Sequence, residues 1–134
     1  MNNITIVSMD NEQTKNIAQR LAATLNFVYI DASLELEKLL LTDFRSSMFN
    51  SDTPAKETKL ISYLAKQNNS VLAIDNEMFL SNENYKQFKK SVTLLIEIKN
   101  DNEIAFNLQD LLKKYCKFST TETKIEKILT LLKG

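Results

Sequence analysis

Residues 4–33 read ITIVSMDNEQTKNIAQRLAATLNFVYIDAS. Ile4-Thr5-Ile6-Val7 is a short β-branched run of the kind that fills a strand buried on both faces. From Asn11 to about Asn26, Ile17, Leu21 and Leu25 recur every four residues with Ala18 and Ala22 beside them, which predicts an amphipathic helix. Phe27-Val28-Tyr29-Ile30 returns to strand character and stops at Asp31. A strand, a helix and a second apolar strand in succession form the crossover unit of a parallel sheet, right-handed by the chirality of such connections.

The alternation continues outward from there. Leu34 to Leu41 predicts a short helix, Thr42 to Thr53 carries no clear period and ends at Pro54, and a helix is expected from Ala55 to Gln67. Ser81 reads as the cap of a helix running to about Lys90. Asp101 opens a helix whose apolar positions are Ile104, Leu108, Leu111 and Leu112, and Ser119, Thr120 and Thr121 are cap candidates for a last helix with Ile125, Ile128, Leu129 and Leu132 inward. Strands are expected near residues 3–8, 27–31, 70–75, 92–98 and 116–119. The fold class is therefore α/β: a three-layer sandwich with a five-stranded parallel sheet and helices on both faces, in one domain over residues 1–134. In such sheets ligands bind beyond the carboxyl ends of the strands, here Ser8 to Thr14, Asp31 to Ser33, Asp75 to Glu77 and Lys99 to Glu103.

Composition removes many functions. The 134 residues include no His and no Trp, a single Cys (Cys116), and a single Gly, at position 134. Without His, the Ser-His-Asp and Cys-His hydrolase mechanisms and the His-bearing zinc sites are closed. Without an internal Gly, no glycine-dependent phosphate cradle can form in the usual way. Seventeen basic residues balance seventeen acidic ones, so no global field draws nucleic acid or a membrane surface, and only Arg20 and Arg45 offer a bidentate phosphate grip. One Cys, no apolar run near 18 residues and no basic, apolar leader at Met1-Asn2-Asn3 lead to the expectation of a cytoplasmic protein.

The stretch quoted above is similar to the opening of shikimate kinases: strand, phosphate loop, helix, then a strand ending in aspartate. VLAIDNEMFLSNENYKQFKKSVTLLIEI (residues 71–98) resembles their third strand, glycine triplet, helix and fourth strand, and LLKKYCKFSTTETKIEKILTLLKG (residues 111–134) their last strand and closing helix. The resemblance implies the strand order 2-3-1-4-5. It places the phosphate loop on Ser8-Met9-Asp10-Asn11-Glu12-Gln13-Thr14-Lys15, with Ser8, Asn11 and Gln13 where the family has glycines and Thr14 where it has lysine. Lys15 is one residue late, which on a helix turns its side chain by roughly 100°. Asp10 and Glu12 put carboxylates at the helix N-terminus, where they suit the dipole and repel a phosphate. Asp31-Ala32-Ser33 keeps only the first aspartate of the family's D-x-D, Asp75-Asn76-Glu77 replaces the glycine triplet, the substrate-gripping Phe-Arg pair has no counterpart, and the lid is shortened. These departures describe a degenerate member, with no catalytic and no cofactor-binding residues, no cofactor, and no expected ATP binding.

Plainer roles stand beside these. Asp10, Asp31 and Asp101 also read as helix caps, Lys15 as a solvated residue, and Cys116 as a small buried hydrophobe. Asp10, Asp31 and Asp75 could converge on Mg²⁺, with Asp31 the candidate ligand. Three functions follow: an inactive scaffold that binds or regulates a protein partner; a residual shikimate-kinase-type phosphotransferase or Mg²⁺-dependent small-molecule binder; or a receiver-like regulatory domain, from the acidic strand end in IVSMDNEQ. Phe44, Met48 and Phe49, apolar among Ser, Asn and Asp, are the candidate interaction residues, in a homodimer or with a partner.

Overall fold

The computed structural model describes residues 3–46, 53–99 and 103–133. Strands β1 (Asn3–Ser8), β2 (Val28–Asp31), β3 (Ser70–Ala73), β4 (Val92–Ile96) and β5 (Phe118–Thr120) form a single parallel sheet in the order β2-β3-β1-β4-β5. The expected fold class and strand order are both found. β1 lies at the centre, with Ile6 opposite Ala73 on one side and Leu94 on the other.

One face of the sheet packs Ile4, Ile6, Val71, Leu94 and Ile96 against helix α1 (Asn11–Leu25) and helix α6 (Ile125–Lys133). The predicted stripe of α1 is buried at Ile17, Ala18, Leu21 and Ala22, and α6 buries Ile128 and Leu132. The other face packs Val7, Leu72, Ile74 and Leu95 against α2 (Ala32–Ser46), α3 (Thr53–Ala65), α4 (Asn76–Leu80) and α5 (Glu103–Tyr115). The inner strands β1, β3 and β4, covered on both sides, take nearly all their apolar surface out of water, which explains their largely apolar character.

Three expectations are corrected. The segment after Leu41 was expected to be irregular, yet the α2 backbone runs on to Ser46. No Pro or Gly interrupts residues 32–53, and Phe44 follows Leu40 at helical spacing. Ser81 ends α4 instead of capping a helix, and a 3₁₀ segment, Ser81–Phe88, bends at Asn82 (φ 52°) and Glu83 (φ 55°). Tertiary bonds impose that bend: Asn82 and Asn84 both donate to the Glu57 carboxylate of α3, and the buried Asn84 also donates to the Met78 carbonyl. Finally, Ile104 and Leu111 of α5 face outward, at 80% and 40% exposure, while Leu112 is fully buried, so the inward face is narrower than the spacing implied. Asp101 lies outside the described residues.

Positive φ without glycine falls mainly to asparagine. Asn26 (φ 59°) ends α1 by donating its N–H to Ala22 and Ala23, and Asn69 (φ 52°) turns the chain into β3. Asparagine is, after glycine, the residue that tolerates this region best.

Candidate functional site

The ligand edge of this architecture is the row of strand carboxyl ends. Between β1 and α1 stand only Met9 and Asp10. A phosphate-binding loop needs several residues arched outward so that their N–H groups converge on an anion. Here the helix starts at once. Asp10 adopts an extended backbone as N-cap, and its Oδ1 accepts from the N–H groups of Glu12 (3.1 Å) and Gln13 (3.2 Å). Beneath it the buried Ser8 and Thr14 hydroxyls lie 2.8 Å apart, and each also bonds the Asp10 carbonyl.

A second clamp comes from the neighbouring strand end. Asn76, at the start of α4, donates from Nδ2 to the carbonyls of Ser8 (3.0 Å) and Met9 (3.4 Å) and to Asn11 Oδ1 (3.3 Å), which also accepts the Asn76 N–H. Asn76 is 7% exposed. The β1–α1 turn is thus held from both sides by side chains of the protein itself.

The three aspartates singled out from the sequence each have a separate task. Asp10 caps α1. Asp31 accepts from the Leu34 N–H through Oδ1 and faces Lys15 Nζ at 3.8 Å through Oδ2. Asp75 accepts from the Ser33 hydroxyl at 2.6 Å and makes no side-chain cap of its own. Among the described residues no three acidic side chains are grouped to hold a metal ion, so the convergence considered for Mg²⁺ is not formed. Lys15 is not simply solvated: it stands between Glu12 and Asp31, 3.8 Å from each. The local field is negative, and Tyr29 registers it. Burial first, then the charges of Asp31 and Glu12, pushes its phenol up to about 12.

The described residues just past β4 also have partners within the chain. The Gln109 amide of α5 accepts from the Ile98 N–H at 2.8 Å and donates to its carbonyl at 3.0 Å, while Lys113 pairs with Glu97 at 3.3 Å. Of the interaction candidates, Phe44 sits on the α2 backbone, and Met48 and Phe49 lie outside the described residues. Sequence reasoning missed the clamp by Asn76, which it treated only as a replaced glycine. The available signal was a polar, uncharged residue opening a helix directly after a buried strand adjacent to β1.

No family model matches the chain, and no curated protein matches it by sequence. Among solved structures it is similar to the shikimate kinase of Aquifex aeolicus, with TM-score 0.73 and 15% identity over 98% of this chain and 96% of that one. Shikimate kinase from Acinetobacter baumannii in complex with shikimate aligns with TM-score 0.71 and 18% identity, over 98% of this chain and 93% of that one. For shikimate kinase from Bacteroides thetaiotaomicron the values are 0.70 and 11%, covering 98% of both chains. The fold is shikimate-kinase-like; at these identities the likeness concerns the scaffold.

Proposed function

We propose that this chain is a non-catalytic protein on a shikimate-kinase-like scaffold, a binding or regulatory module that engages a protein partner or a second copy of itself. The observation that carries this reading is the two-residue connection Met9-Asp10, with Asp10 already occupying the first free amides of α1. A nucleotide phosphate would have to displace a carboxylate from those N–H groups and enter beside Glu12 and Asp31. Both changes oppose binding, the first by removing a cap worth about 1 kcal/mol and the second by like-charge repulsion. Lys15, the cation nearest the family's position, is shared between two carboxylates. Among the described residues no helix is long and apolar enough to cross a membrane, so nothing in them opposes a role in solution.

The test is a thermal-shift and calorimetric titration with ATP, ADP, shikimate and Mg²⁺, paired with a coupled assay for phosphoryl transfer. A ligand present at 100 times its Kd adds about 2.7 kcal/mol of stability, which moves the melting temperature visibly. We expect no shift and no turnover. A nucleotide Kd in the micromolar range would overturn the reading. Sedimentation velocity across a concentration series then separates self-association from a need for a different partner.

A further inference from the structure

A concavity of about 400 Å³ opens on the other side of the molecule, between the 3₁₀ segment and the junction of α5 with β5. It reaches Thr93, near the amino end of β4, and is therefore separate from the strand carboxyl ends. Lys86, Lys89, Lys114 and Lys117 line it, with no carboxylate among the lining residues. Lys114 has a structural role, since a cation in the last turn of α5 complements the negative end of the helix dipole, and Lys86 pairs with Glu83. Lys89 and Lys117 have no ion-pair partner among the described residues.

The wall between the lysines is mainly apolar. Tyr85 and Tyr115 stack with centroids 3.7 Å apart and planes at 17°, and the buried Phe88 also lines the concavity. The side-chain hydrogen bond with Tyr115, and then burial, push the Tyr85 phenol up to about 12. The cations also belong to a wider asymmetry. Residues 85–134 hold ten basic and six acidic residues, whereas residues 1–84 hold seven and eleven. A neutral chain thus has a basic C-terminal stretch, and four of its lysines line an apolar slot.

We infer that this groove binds an acidic segment of a partner protein, its carboxylates meeting Lys89 and Lys117 and one apolar side chain resting against the Tyr85–Tyr115 wall. Single-stranded nucleic acid fits less well. Such binding relies on open aromatic faces for base stacking, and here the two rings are stacked on each other while Lys114 stands 5.7 Å over the Tyr115 ring. The groove also lacks arginine, the side chain that grips phosphate bidentately. A volume of about 400 Å³ lies within the usual size of a ligand pocket and suits one anchored side chain with its neighbours.

This inference rests on the partner-binding half of the function proposed above. The test is fluorescence anisotropy of the intact protein with a short fluorescein-labelled glutamate peptide carrying one central phenylalanine. We expect saturable binding that weakens roughly tenfold or more between about 20 and about 300 mM salt, as screening by mobile ions requires. The double variant Lys89→Glu with Lys117→Glu should weaken binding by roughly tenfold or more. Lys59→Glu with Lys133→Glu, an equal charge change on α3 and α6, should leave it within about twofold. Replacing the phenylalanine by serine in the peptide should weaken binding by about tenfold, the loss of one buried aromatic anchor. Equal loss in both double variants, no binding at millimolar peptide, or tighter binding of a short oligothymidylate would each overturn the assignment. Kinase activity in the same sample would remove the non-catalytic reading and leave the groove standing. A silent kinase assay with silent anisotropy would remove the groove alone.

Discussion

The strand carboxyl ends and the lysine groove are both lined with polar side chains, but they dispose of their hydrogen-bonding and charge capacity in opposite ways. At the strand ends the described polar groups mostly have partners inside the chain. Asp10 holds two amides, Asn76 holds two carbonyls and Asn11, and Asp31 holds an amide and Lys15. In the groove, Lys89 and Lys117 are exposed, and no partner faces them among the described residues. Polar groups that satisfy one another stabilise the fold; polar groups left to water are available to something else. Substitutions at the strand ends should therefore change stability, and substitutions in the groove should change binding.

Four measurements can break or sharpen that contrast. The largest effect is expected at Cys116, which lies between Tyr115 and Lys117 and is pushed up to about 12 by burial. The reactive species is the thiolate, so iodoacetamide at pH 8 should modify the native protein at least roughly a hundredfold more slowly than the urea-unfolded chain. Rapid native alkylation would mean that the ground beneath the groove is open, and the contrast would fail there. Next comes Asn76→Ala, which strips the clamp from the buried Ser8 carbonyl and the half-buried Met9 carbonyl. Urea unfolding should show a loss of about 2–3 kcal/mol. A loss below half a kilocalorie would mean that the turn is held by its own capping alone.

Asp10→Ala should cost about 1 kcal/mol, the usual value of a helix N-cap. The same variant tests the electrostatic half of the functional proposal, because it frees two amides and removes one negative charge. If ATP binds Asp10→Ala but not the parent chain, the carboxylate is what excludes nucleotide. If ATP binds neither, the missing loop is sufficient. The smallest effect belongs to Lys89→Glu with Lys117→Glu, whose unfolding free energy should stay within about 0.5 kcal/mol of the parent, as exposed unpaired sites usually do. A larger drop would give these lysines a structural role and weaken the case for a binding surface.

The architecture was legible because it rests on burial, and burial leaves a periodic record. The apolar runs at residues 4–7, 71–74 and 92–96 and the Ile17–Leu21–Leu25 stripe each point to a face that must leave water. The site was legible only in its separate residues. Asp10 and Asp31 cap helices as their residue type suggests, yet the local sequence at Asn76 marks only a polar helix start and not the reach of its amide to Ser8, 68 positions away. The bend at Asn82 and Glu83 was hidden for the same reason, since its cause is Glu57 on another helix. The groove escaped notice because overall neutrality masks two lysine clusters, residues 86–90 and 113–117, that only the fold brings together.

The central place of β1 has a consequence for synthesis. β1 leaves the ribosome before either of its partners, residues 70–73 on one side and 92–96 on the other. Neither partner exists when it emerges. At roughly 5–20 residues per second, β1 waits on the order of ten seconds with Ile4, Ile6 and Val7 unpaired. Throughout that interval it is a short β-branched segment without charge or proline, open to any other strand edge nearby. The amphipathic α1, complete long before, packs on the Ile4 and Ile6 face, so early docking of Ile17 and Leu21 there would protect the nascent chain from association with its neighbours on the same message.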